Sequence, residues 1–394
     1  MMTVSLLIVI PGLLLAEPSS AQEARDYVAE RIQVLLARQY DHKMISSGQN
    51  FPSVNVQHAH RGDLTILLRD GVPVLSIRDY FGWSAAEMQQ RLDELVAAGL
   101  VQRTASELYV PTIMLMSLGD VARHMRVPES LLEEAAELVV RHLPEVQRRY
   151  AEINGFRHVP FESASLLILS DVLLDNWQIN AVERGFLKAE RPLRAGNRYY
   201  YSIQEKAPLD STEAFGIYGN QYRQYGPVTV GVYGNQRTNN PLNFLTLGRD
   251  QLEQLFETRP DTVRVFKQEL LKNVVEAAHG AHSRLSPRYH AGLKALGWER
   301  RGQIVVPVLD EEASAALSSM ADLVTDDLLA LLERYRPAVT QAYEGSPYSR
   351  EVTFEEYFIW WYHLFYTAVT DRLIAQGYIA NPASGITTYL MVSS

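Results

Sequence analysis

Ser84 to Pro111 reads SAAEMQQRLDELVAAGLVQRTASELYVP, a stretch that holds a complete local plan for a helix followed by a hairpin. Ser84 stands where an N-cap belongs, and Glu87, three residues on, completes a capping box. Met88, Leu92, Leu95 and Val96 fall on one face of a helix running to Ala98, and Gly99 supplies its stop. Leu100-Val101 and Leu108-Tyr109-Val110 then read as two strands around Ala105-Ser106. Upstream, Asp63 to Leu68 and Val72 to Leu75 read as short strands around Asp70-Gly71, with Ile77 to Phe81 a short helix. Helix, turn, helix, glycine, hairpin is the order of a winged helix. The expected fold class is α+β, mainly helical, with winged-helix-like units.

Working outward, the ending Leu95-Val-Ala-Ala-Gly99 recurs as Leu293-Lys-Ala-Leu-Gly297 and Leu373-Ile-Ala-Gln-Gly377. Pro144, Tyr150, Arg157, Val159 and Phe161 also match Pro337, Tyr343, Arg350, Val352 and Phe354 at a constant offset of 193. Leu187 and Ile379 pair at 192, and Pro111 and Pro307 at 196. These matches predict a duplicated module, residues 64–207 and again 262–394, preceded by an N-terminal helix and loop over 22–63. The shared residues read as architecture: Pro144 and Pro337 ending a helix, Tyr150 and Tyr343 packing it, Arg157 and Arg350 pairing with a carboxylate.

Between the copies, 208–261 has another character. Tyr218-Gly-Asn-Gln221 repeats as Tyr233-Gly-Asn-Gln236 around the alternating Val228-Thr-Val-Gly-Val232, which predicts β-hairpins and a connecting helix. An ordered connection explains the composition, and so does a binding surface, since tyrosine and asparagine supply rigid aromatic area and adaptable hydrogen bonds. Tyr218, Tyr222, Tyr225 and Tyr233, with Asn220 and Asn235, are the candidate ligand-binding residues.

Other constellations say less. The would-be recognition helix offers Glu87, Gln89, Gln90, Arg91, Asp93 and Glu94, a net negative face, and its wing only Arg103, which argues against DNA. Arg300-Arg301 makes the second wing basic, and Arg191, Arg194 and Arg198 read as a solvated hairpin base. His279 and His282 lie one helical turn apart with His290 nearby, but no metalloprotease glutamate accompanies them and Ser286-Pro287 interrupts the helix. His58 and His60 lie in a loop. No metal or cofactor is expected. Trp360-Trp361-Tyr362-His363 belongs to a helix apolar nearly all round, hence core, with His363 a core or crevice histidine. No Gly-x-Ser-x-Gly elbow or phosphate-cradling glycine loop occurs. Asp310-Glu311-Glu312, Asp326-Asp327 and Glu355-Glu356 read as helix-start acids.

Composition bounds the rest. A chain of 394 residues exceeds the usual size of one core, so two or more domains are expected. The net charge of −9 repels a polyphosphate, and the absence of cysteine removes disulfides, thiol catalysis and thiolate metal sites. Leu6 to Ala16 has the length of a signal h-region and Pro18-Ser-Ser-Ala21 suits cleavage, although Met1 to Ser5 lacks the usual basic residue. The expectation is an exported, non-enzymatic protein without a transmembrane span in its mature chain, binding another protein or a surface glycan. Two alternatives stand beside it: a cytoplasmic winged-helix DNA-binding regulator, and a hydrolase whose acids meet only in three dimensions.

Overall fold

A computed structural model of the chain describes residues 21–206, 218–235, 242–280, 285–380, 382 and 385–392. The expected signal segment lies outside the described residues up to Ala21, as does His282. The fold is mixed helix and sheet, mainly helical.

Helix α1 (Ala21–Ala37) leads to strand β1 (Tyr40–Ser46), helices α2 (Arg61–Arg69), α3 (Val74–Phe81) and α4 (Ala85–Ala97), and the antiparallel hairpin β2 (Val101–Arg103) and β3 (Tyr109–Pro111). The α4 capping box forms as expected: Ser84 Oγ accepts from the Glu87 N–H at 3.2 Å, while Glu87 accepts from the Ser84 N–H at 2.8 Å. Three expectations need correction. Asp63 to Leu68 is helical because Leu64, Leu67 and Leu68 bury one helical face, and Val72 to Leu75 enters α3. Met44 to Ser46, expected as loop, is strand paired with residues 199–201.

Strand β4 (Met114–Met116) and helices α5 (Leu118–His124), α6 (Glu129–Tyr150) and α7 (Phe161–Leu166) follow. The chain then widens into a π-helical turn, Leu167–Val172, leaves helical geometry at Asp175, resumes as α8 (Asn176–Ala181) and widens again over Val182–Leu187. Strands β5 (Leu193–Arg194) and β6 (Asn197–Glu205) close this half, β6 running antiparallel to β1 and parallel to β4.

The Tyr/Asn segment is the hairpin β7 (Tyr218–Tyr225) and β8 (Val228–Asn235), as expected. Helices α9 (Arg249–Phe256), α10 (Val263–Ala278) and α11 (Pro287–Ala295) precede a second short hairpin, β9 (Glu299–Arg300) and β10 (Gln303–Ile304). Strand β11 (Val308–Leu309), the long helix α12 (Glu311–Glu344), helix α13 (Phe354–Ala375) and strand β12 (Ile386–Val392) complete the chain. The second sheet has the order β11-β12-β8-β7, with β11 parallel to β12 and β7 at the edge.

One side-chain detail recurs along the chain. Tyr150 donates to the Val159 carbonyl at 2.7 Å, and Tyr343 to the Val352 carbonyl at 2.8 Å. Pro144 and Pro337 both lie inside helices, α6 and α12, rather than ending them. Leu187 and Ile379 sit differently relative to the ends of their helices. Leu187 is the last helical residue before left-handed Lys188, whereas α13 reaches that point at Gln376 and Gly377. Arg157 meets His158 instead of a carboxylate. Asp310 caps α12 as expected, but Asp326 and Asp327 lie in its interior.

Apolar burial gathers in three clusters. One joins α1 to α4 with β6 through Leu64, Leu92, Leu95 and Tyr199, and another joins α9 to α11 with β8 through Phe256, Leu270, Trp298 and Val230. Between them, α6, residues 161–187, α12 and α13 share the largest, which contains Trp360 and Trp361 as expected of core. Among the described residues, no helix is long and apolar enough to cross a membrane.

Candidate functional site: a buried acid and tyrosine cluster

Two carboxylates occupy the central core. Asp171 and Asp175, one turn apart on the interrupted helix, are 0% and 5% exposed. Asp171 falls within the π turn and Asp175 at the break after it, so the irregular backbone and the two acids coincide. Their surroundings come from α13 (Tyr362, His363, Tyr366, Thr370), the hairpin (Tyr218, Asn220, Tyr222, Tyr233) and β12 (Tyr389).

Hydrogen bonds orient the cluster. Asn220 Nδ2 donates to Asp171 Oδ1 at 2.7 Å, and Tyr389 donates to Asn220 Oδ1 at 2.7 Å. The Tyr389 hydroxyl also lies 2.9 Å from the Tyr222 hydroxyl. Asn176 Nδ2 in turn donates to the Tyr222 hydroxyl at 3.2 Å. The Asn220 amide is thus fixed with its N–H toward Asp171, which favours negative charge there. Asp171 Oδ2 has no hydrogen-bond partner among the described residues. Gly231 makes room for the Tyr389 ring, since a Cβ there would lie 2.4 Å from it.

On the other side, Ser170 Oγ meets the Tyr233 hydroxyl and Thr370 Oγ1, each at 2.6 Å. Tyr362 and Tyr366 donate to the carbonyls of Leu174 and Tyr218. His363 Nδ1 is 2.7 Å from the Ile359 carbonyl and must donate to it, leaving the Nε2 lone pair facing Asp175 Oδ1 at 4.0 Å.

Burial sets the protonation. The Asp171 carboxyl is pushed up to about 7, against the lowering pull of Asn220 and the Asn176 N–H. Asp175 is raised well above the carboxylate range, first by burial and then by the charge of Asp171. Burial lowers His363 to about 4, so it is neutral at pH 7. The arrangement therefore holds two acids raised by burial, Asp171 near neutrality, beside a neutral imidazole.

The expected binding residues separate. Tyr218, Tyr225 and Tyr233 are buried, and only Tyr222, 46% exposed, presents its ring to solvent while its hydroxyl stays tethered. Asn220 bridges Asp171 and Tyr389, and the Asn235 N–H donates to the Gly385 carbonyl. His279 ends α10, and His290 pairs with Glu299 at 2.5 Å. His60 pairs with Asp63 in the open, and the His58 N–H bonds the Asn55 carbonyl. Among the described residues, no three His, Asp or Glu side chains gather as a metal site. The basic hairpin group is not solvated throughout: Arg194 is buried against Glu356, and Arg191 pairs with Glu183 at 2.7 Å. Glu356, expected as a simple helix-start acid, is one half of that buried pair. Arg103 pairs with Glu107, and Arg91 lies 4.3 Å over the Trp83 ring, so the basic residue of α4 and that of the following hairpin both have intramolecular partners.

Comparison with family models, with curated proteins and with solved structures returned no match for this chain.

Proposed function

We propose that this chain is an exported binding protein whose contact surface is the exposed part of β7, Gln221 to Gln224, and whose ligand is a surface glycan. The observation that carries this reading is Tyr222: a solvent-facing ring with its hydroxyl held by Asn176 and Tyr389, and hence by Asn220 and Asp171. A ring fixed in this way loses little conformational freedom on stacking against a sugar, and Gln224, on the same face of the strand, supplies an amide for hydroxyl groups. The scaffold, in this reading, is a duplicated module with winged-helix-like units over 64–207 and 262–394. Its support is the repeated tyrosine-to-carbonyl bond and the matching hairpins and parallel strand pairs. The apolar run Leu6 to Ala16 supports export.

The test is retention of the full chain on insoluble peptidoglycan and chitin, with its N-terminus read by mass spectrometry after expression. Tyr222→Ala should weaken retention about tenfold, the equivalent of ~1.4 kcal/mol, while Tyr222→Phe keeps the ring and loses less. Wild-type protein that passes through both polymers would sink the reading.

The raised Asp171 and Asp175 beside His363 favour a second reading, a glycan hydrolase. Release of reducing ends by the wild type, abolished in Asp171→Asn, would select it.

A further inference from the structure

On the opposite face of β7 lies a depression of about 640 Å³ between the hairpin and the start of α10. Arg223 and Tyr225 alternate with Tyr222 along the strand and so point away from the acid cluster. They meet Arg264 and Lys267 from α10, with Leu247 and Val263 as apolar wall. Three cations line this space and no carboxylate does, in a chain with 46 acidic residues available.

The cations keep donors that no hydrogen bond among the described residues uses, although Lys267 also lies 4.9 Å from the Phe244 ring centre. Lys267 is 2% exposed, and its Nζ donates to the carbonyls of Phe244 at 2.6 Å and Leu245 at 3.4 Å, which leaves one of its three N–H groups. Arg223 Nη1 donates to the Leu245 carbonyl at 2.9 Å and keeps its remaining donors. Among the described residues, none of the three forms an ion pair, and Arg264 is exposed. A second, independent sign is Tyr225, which lines the same space at 3% exposure with its hydroxyl unpartnered among the described residues. The N-terminus of α10 opens here too, without a side-chain cap from Thr262. Burial and the neighbouring Arg223 lower Lys267 to about 8, a cost that a bound anion would remove.

We propose that this depression binds a tetrahedral oxyanion, phosphate or sulfate, carried on a small organic body. The oxyanion engages Arg223, Arg264 and Lys267 through charge-assisted hydrogen bonds, and the body lies on Leu247 and Val263. The site shares Arg223 and Gln224 with the exposed stretch of β7 but does not include the Tyr222 ring.

Calorimetric titration of the full chain with phenyl phosphate, phenyl sulfate and inorganic phosphate tests it. Saturable binding of at least one aryl ester, tighter than inorganic phosphate, is expected, and the preferred ester identifies the oxyanion. Arg264→Gln should weaken it about tenfold, the loss of one charge-assisted contact. Arg264 is exposed and forms no ion pair among the described residues, so this variant keeps the fold even where Lys267→Met does not. Absence of saturable binding at millimolar ester, or binding unchanged in both Arg264→Gln and Arg223→Gln, overturns the proposal.

Discussion

Replacing Asp171 by Asn should stabilise the protein at alkaline pH and not at acid pH. The Asp171 carboxyl stands at about 7 in the folded chain against an ordinary 3.8, some three pH units. At about 1.4 kcal/mol per unit, its ionisation costs the native state about 4 kcal/mol. Because the folded value is the higher one, this cost is absent below the unfolded value near 4. It grows as pH rises and is complete above about 7. Asn keeps an acceptor for Asn220 but adds an amide donor where Oδ2 has no partner among the described residues, a penalty of about 1–3 kcal/mol. The net expectation is a gain of about 1–3 kcal/mol at about pH 8, turning to a loss of similar size at about pH 4. Urea unfolding at the two pH values measures it. An Asn variant destabilised equally at both would refute the argument, because the ionised carboxylate would then carry no folding cost.

Two further expectations concern the scaffold. Arg194→Met strands the buried Glu356 and should cost about 3–5 kcal/mol in denaturant unfolding, while adding Glu356→Leu should recover most of that loss. Tyr150→Phe and Tyr343→Phe each remove one hydrogen bond to the carbonyl nine residues on, so each should cost about 1 kcal/mol by the same measurement. Tyr150, the more buried of the two, should lose more.

What could be read beforehand was local or repeated. The Ser84 and Glu87 box and the alternation of Val228 to Val232 are decided within a few residues, and they appear as expected. Asp63 to Leu68 went astray because six residues around a glycine turn suit either period, and burial of Leu64, Leu67 and Leu68 on one face decided for helix. Pro144 and Pro337 stay helical since their helices are long and packed in the central core, which outweighs a proline penalty of about 3 kcal/mol. The acid pair was missed, although a signal existed: Asp171 interrupts the apolar run Leu166 to Leu174 and Asp175 follows it one helical turn on, where a surface helix would not put them. Their partners Asn220, His363 and Tyr389 come from distant parts of the chain, and no local pattern joins them.

The sharing of one central core by both halves governs how the chain must be made. Its apolar run Leu166 to Leu174 emerges about 180 residues before Phe354 opens the helix that covers it. At ribosomal speeds of about 5–20 residues per second, that face stays bare for roughly ten to forty seconds. Over this interval the face is open to aggregation. A product cut short before Phe354 never closes the face, and is material for aggregation or proteolysis.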